Sequence, residues 1–299
     1  MPEAILAFLA GLLIGSFLNV CVYRLPRDLS VVRPRSHCPG CEKQIAWYDN
    51  MPVLSYLILG GRCRHCRERI PVRYPVVELA TAVAFALIVA KLGLSLAALK
   101  FSLFSAIMIA LIATDIEERI LPDEFTLGGT LAGLVLAWFV PLEIGVGAML
   151  IPYTWGRPWV SVADSAIAAG IASGAIWLVA WLYQKFRHRE GMGLGDVKMI
   201  AMIGAFLGLR LTLLTLVVAS LFGSLIGVPY AFFAKRALGR RLAARIRRHQ
   251  TKASMVGPDL RAVCVVASRY QLPFGSFLGL AGLVLALWGY VVTPGLFGD

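Results

Sequence analysis

Asp196 ends the run Gly191-Met192-Gly193-Leu194-Gly195-Asp196 and opens the apolar segment Met199-Ile200-Ala201-Met202-Ile203. Asp115 holds the matching place on another apolar run, Ile109-Ala110-Leu111-Ile112-Ala113-Thr114-Asp115. A carboxylate at the mouth of a membrane helix is expensive, and a functional role is its default reading. Two carboxylates at one membrane depth can hydrolyse a peptide bond. One takes a proton from water and the other gives one to the carbonyl oxygen. At about 3 Å apart they cannot both ionise, so the pair shares a proton. Gly193 and Gly195 supply backbone without Cβ bulk, on which an extended substrate segment can lie. Lys198 stands beside them as a supporting charge that can pair with Asp196 or snorkel to headgroups. The competing reading makes Asp196 an N-cap, a favoured place for Asp. Asp115 resists it, because the helix dipole disfavours an acid at a C-terminus. Asp123, behind Pro122, can cap the next span or serve as an alternative partner. Other hydrolytic signatures are missing: there is no His-Glu-x-x-His and no Gly-x-Ser-x-Gly, and histidines 37, 65, 188 and 249 lie in polar loops.

A second constellation is Cys38-Pro39-Gly40-Cys41 with Cys63-Arg64-His65-Cys66, separated by 21 residues. Two such knuckles can present four thiolates tetrahedrally to Zn²⁺. Disulfides compete with this reading, but thiols in a cytoplasmic loop stay reduced. Four cysteines close the coordination sphere, so the metal is structural. His37 and His65 read as solvated neighbours. Cys21 and Cys264 read as buried small hydrophobes.

The elements that must position these groups are membrane helices. The 299-residue chain is 59% hydrophobic and 15% charged, with mean hydropathy +0.75, against roughly 25% charged residues in soluble domains. Apolar stretches lie near residues 4–22, 75–91, 93–113, 125–140, 162–183, 197–209, 211–234 and 273–293. The expected fold is therefore an all-α polytopic membrane protein of about eight transmembrane helices, with a small zinc-ribbon-like cytoplasmic loop domain. The break between the sixth and seventh stretches rests on Arg210. The first stretch has no basic residue ahead of it and reads as a retained span rather than a signal peptide.

Orientation follows from Lys and Arg. Loops 23–74 and 235–272 hold ten each, 184–198 holds four and 114–124 holds one. With eight spans these loops share one side, and only Lys91, Lys100, Arg157 and Arg210 fall to the other. The positive-inside rule puts those loops in the cytoplasm and both termini outside. On this reading the chain divides into a first helix (1–22), a zinc-binding loop domain (23–74) and a transmembrane domain carrying both aspartates (75–299), with a basic cytoplasmic loop at 235–272. That basic loop reads as a lipid-facing or topological signal, and it lacks the aromatic interleaving of a nucleic-acid surface. Loop 114–124 is an acidic island of Asp115, Glu117, Glu118, Asp123 and Glu124 against Arg119. Segment 141–160, with Pro141, Pro152 and Pro158, reads as an irregular outer loop. Glu78 is a weaker functional candidate at the start of the second span.

Taken in order, Gly15-Ser16-Phe17-Leu18-Asn19-Val20, the paired knuckles, Asn50-Met51-Pro52-Val53-Leu54, Arg73-Tyr74-Pro75-Val76-Val77-Glu78-Leu79, the two aspartate motifs and Leu272-Pro273-Phe274-Gly275-Ser276-Phe277 mark a family. Through these motifs the whole chain resembles the bacterial type IV prepilin peptidases, which are GxGD-type intramembrane aspartyl proteases. The resemblance implies catalysis by Asp115 and Asp196. It implies prepilin or pseudopilin substrates, with cleavage of a basic leader after glycine in the bacterial cytoplasmic membrane, on its cytoplasmic face. It also implies methylation of the new N-terminus by S-adenosylmethionine. The acidic island complements a basic leader. No residues are assigned to the methyl donor: no strand precedes Gly191-Met192-Gly193, so that run is not a nucleotide fingerprint, and the zinc-bearing loop is the natural candidate. Segments 141–160 and 235–272 are longer than the family needs. Two rival functions remain, a proton-coupled membrane transporter and a non-catalytic zinc-ribbon membrane scaffold.

Overall fold

The computed structural model describes residues 2–141, 156–188, 193–250 and 274–292. The expectations for segment 141–160 therefore fall mostly outside the described residues, as do Gly191, Cys264 and the part of the basic loop beyond Gln250. The described residues fold mainly into helices and contain no strand, only two isolated bridges in the cysteine loop. The helices are α1 (Pro2–Arg24), the short α2 (Leu54–Ile58), α3 (Arg73–Leu92), α4 (Leu96–Glu117), α5 (Asp123–Phe139), α6 (Arg157–Arg187), α7 (Leu194–Gln250) and α8 (Phe274–Ala286). Five helical stretches among the described residues are long and apolar enough to cross a membrane, rather than eight. The difference has two sources. The fourth and eighth apolar stretches form helices of only 17 and 13 residues. The sixth and seventh lie in one assigned helix, α7, which is interrupted at Gly208 with φ 77° and ψ 173°. Glycine tolerates that positive φ, and the break comes two residues before Arg210.

α4 is the central helix. Of its most apolar stretch 72% is buried inside the protein, against 22% for α6. Ser95 caps its start, its hydroxyl accepting from the Ala98 N–H at 3.1 Å. Phe104, Met108 and Leu111 of α4, Ile203 and Phe206 of α7 and Leu278 of α8 are fully buried and join in one core. Elsewhere helices meet backbone to backbone. A Cβ on Gly11 would lie 2.5 Å from Ala82 Cα, and one on Gly15 would lie 2.6 Å from Glu78 Cα. This is the small-residue logic by which membrane helices pack without a hydrophobic driving force. Leu13, Leu131 and Leu221 point outward and are largely exposed, as lipid-facing residues are.

Candidate active site and metal centre

Asp115 sits in the last turn of α4 and is buried. The helix stops just beyond it. The Glu118 N–H donates to the Thr114 carbonyl, and Arg119 turns left-handed at φ 57°. Leu121-Pro122 then leads into α5. Asp196 enters from the other direction, in the first turn of α7, where its N–H donates to the Gly193 carbonyl at 3.2 Å. It is thus inside the helix and not its N-cap.

α8 supplies the third component. Its first-turn N–H groups have no partner within the helix. The Ser276 N–H donates to Asp115 Oδ2 at 2.5 Å, and the Ser276 hydroxyl donates to the same oxygen at 2.7 Å. Asp115 therefore caps α8 from a different helix, with its carboxylate at the positive end of that helix dipole. Beside it, Gly275 keeps the site open. A Cβ there would stand 3.0 Å from Asp115 Oδ2 and 3.2 Å from Asp196 Oδ1. The two carboxylates thus converge on one point, and only glycine leaves it free. The sequence marks Gly275 and Ser276 only as part of the motif Leu272-Pro273-Phe274-Gly275-Ser276-Phe277 and assigns them no role.

The remaining candidates separate. Lys198 Nζ lies 2.7 Å from Asp123 Oδ1 and 2.8 Å from Oδ2, so its partner is Asp123 and not Asp196. Gly193 is exposed, with no side chain near the place its Cβ would occupy. Gly195 faces the Leu121 side chain, whose nearest atom would be 3.1 Å from an added Cβ. Its missing side chain makes room for a neighbour of the same chain. In the acidic island Glu117 pairs with Arg73, Glu118 with Arg27 at 2.5 Å, and Asp123 with Lys198. A cationic peptide would meet a surface already largely neutralised. Exposed pairs of this kind are each worth roughly 0–1 kcal/mol, so exchange costs little.

The cysteine loop is built from two copies of one turn. Cys38 N–H donates to the Lys43 carbonyl, and Cys63 N–H to that of Glu68. Glu42 and Arg67, each following the second cysteine of its pair, turn left-handed at φ 57° and 61°. The copies bring the sulfurs of Cys38, Cys41, Cys63 and Cys66 within 4.8 Å of one another. A tetrahedral Zn–S site of 2.3 Å bonds needs sulfurs about 3.8 Å apart, and Cys38 and Cys66 stand at 3.6 Å. The backbone N–H groups of Cys66 and His65 lower the Cys63 thiol to about 7. Cys66 goes the other way, to about 12: the Glu68 backbone stabilises its thiolate, but desolvation and hydrogen bonds to the other three sulfurs outweigh that. Four thiols this close shed their protons together only beside a cation, so the donor set fits a metal ion.

The fold and site define a multi-pass membrane protein with converging carboxylates and a four-cysteine loop. Residues 9–92 match the family model described as the bacterial peptidase A24 N-terminal domain, and residues 102–228 match the type IV leader peptidase family. A prepilin leader peptidase/N-methyltransferase of Pseudomonas putida is 32% identical over 95% of this chain and 90% of its own length. One from Myxococcus xanthus is 32% identical over 96% and 90%. A type 4 prepilin-like proteins leader peptide-processing enzyme of Escherichia coli is 35% identical over 78% and 86%. The chain belongs to the type IV leader peptidase family and is an enzyme. No solved structure matches it.

Proposed function

We propose that this protein is an aspartyl endopeptidase of the bacterial cytoplasmic membrane. It cleaves the basic leader of a type IV prepilin or pseudopilin after glycine, at the cytoplasmic face, and then methylates the new N-terminus with S-adenosylmethionine. The observation that carries the reading is the convergence of Asp115 and Asp196 beside Gly275. Ser276 holds Asp115 Oδ2 with two donors, which orients the carboxylate and leaves its other oxygen to accept a proton. Asp115 is therefore the base that takes a proton from water, and Asp196 is the acid that protonates the scissile carbonyl. Breakdown of the tetrahedral intermediate returns a proton to the leaving amine.

The substrate's apolar helix approaches through the bilayer, and its extended scissile segment crosses the open backbone at Gly193. Eight passes fit this placement, if the two limbs of α7 about Gly208 cross separately and α5 and α8 each count once. Cys38, Cys41, Cys63 and Cys66 would hold Zn²⁺, which ties the loop together when bound. The described residues contain no strand, hence no strand–turn–helix nucleotide site among them.

The test is to incubate the purified protein with a pilin-like precursor and labelled S-adenosylmethionine. Cleavage and methyl transfer are expected from the wild type. Asp115→Asn and Asp196→Asn should each lose cleavage at unchanged thermal stability. Wild-type turnover by either variant would overturn the assignment. Proton flux across vesicles without cleavage would favour the transporter.

A further inference from the structure

We propose that the segment from Trp47 to Ile58 lies in the interfacial layer of the bilayer and seats the cysteine-bearing loop on the membrane. The segment is a 3₁₀ turn (Trp47–Asn50) followed by α2. It presents an apolar surface: Trp47 is 81% exposed, Leu57 69% and Ile58 67%, with Tyr48, Met51 and Leu54 also exposed. Six large apolar side chains exposed within twelve residues mark a site of contact with protein or membrane.

Its depth is set by one hydrogen bond. The Val53 N–H donates to Glu78 Oε2 at 2.7 Å. Glu78 is a buried residue five positions into the apolar helix α3, about 7.5 Å along its axis. The segment is therefore held alongside a spanning helix, past its polar end. Val53 itself adopts φ 59° and ψ −48°, a conformation that a β-branched residue takes only when its surroundings hold it there. Ser55 makes the segment one piece. Its hydroxyl accepts from the Met51 N–H at 3.1 Å and donates to the Tyr48 carbonyl at 2.9 Å.

Lipid is the occupant that these facts select. On α3 the exposed residues Val76, Leu79, Val83 and Leu87 form one stripe, spaced as a single helix face, so the segment starts beside lipid-facing surface. Trp47 and Tyr48 are the residue types that gather at headgroup level. Loop 23–74 carries ten Lys and Arg against four Asp and Glu, which suits anionic headgroups. This contact is separate from the basic segment 235–272. It would fix the height of the cysteine loop above Asp115 and Asp196.

The experiment uses the full-length, zinc-loaded protein in vesicles of phosphatidylethanolamine and phosphatidylglycerol. A genetically encoded nitroxide residue replaces Leu57 in one sample and the exposed Lys43 in another. Collision rates with oxygen, which concentrates in lipid, and with a water-soluble nickel chelate are compared. The oxygen-to-nickel ratio should be several-fold higher at position 57 than at position 43. Equal ratios would place the segment in water and overturn the proposal. Shielding of position 57 from both reagents would mean that a second copy or another protein covers it, and would overturn it too. Glu78→Leu, checked for unchanged zinc content, should bring the ratio at 57 towards that at 43. An unchanged ratio would show that Glu78 does not set the depth.

Discussion

The cysteine cluster draws its four sulfurs from residues 38 to 66, through two turns that share the same hydrogen bonds. The carboxylate site draws on residues 115, 196 and 275–276, from three helices that meet only because the bundle packs. The first is shaped by local backbone, and its four sulfurs stand close enough to hold one ion. The second is shaped by distant contacts, and no single segment contains its geometry. The two should therefore fail separately, each under its own perturbation.

The largest effect belongs to the metal. Structural zinc contributes roughly 10–16 kcal/mol in isolated finger peptides at neutral pH. Replacing Cys38 and Cys63 together by Ser should abolish zinc binding and strip hydrogen-exchange protection from residues 36–70. Protection of α4, α7 and α8 should stay as it was. Collapse of both regions together would erase the distinction drawn here.

The next largest falls on the carboxylates. Gly275→Val puts a branched side chain where both carboxylates converge. Misplacing catalytic groups by about 1 Å costs on the order of 100-fold, so cleavage should drop at least that far while zinc content holds. Near-normal cleavage would show that the open point beside Gly275 is not where substrate reacts. Ser276→Ala removes the hydroxyl but keeps the backbone donor. A hydrogen bond to a charged group is worth about 1.5–3 kcal/mol, so kcat should fall about tenfold or more. No change would mean that the Ser276 hydroxyl has no part in tuning Asp115 for catalysis.

The smallest effect separates two glycines. Gly195→Ala must push Leu121 aside and should cost stability, up to about 1–3 kcal/mol if Leu121 cannot yield. Gly193→Ala meets no side chain and should leave melting unchanged. Equal losses in melting temperature would show that Gly195 is there for backbone freedom rather than for Leu121.

These differences also govern what could be read from the chain alone. The cysteines announce themselves by spacing, and Asp115 and Asp196 by standing at the ends of apolar runs. Ser276 lies in a motif of the family resemblance, but nothing in the chain gives its role, because that depends on how α8 lands against α4. Lys198 looks like a partner for Asp196 two residues away, yet packing of α5 on α7 delivers Asp123 to it. Glu78 stands out as an acid in an apolar run, but its partner Val53 lies 25 residues earlier, and no periodicity connects them. Arg210 hints at the break in the long seventh helix, whereas the turn itself falls at Gly208, where φ is positive.

The most direct measurement is a double-mutant cycle on the carboxylates. The value of kcat/KM for one precursor is determined for Asp115→Asn, Asp196→Asn and the double variant. Groups that act as one unit are grossly non-additive. All three variants should therefore share one residual rate, on the order of 10³-fold or more below wild type. A double variant that falls by the product of the two single losses, or either single variant near wild-type turnover, would contradict a shared catalytic pair.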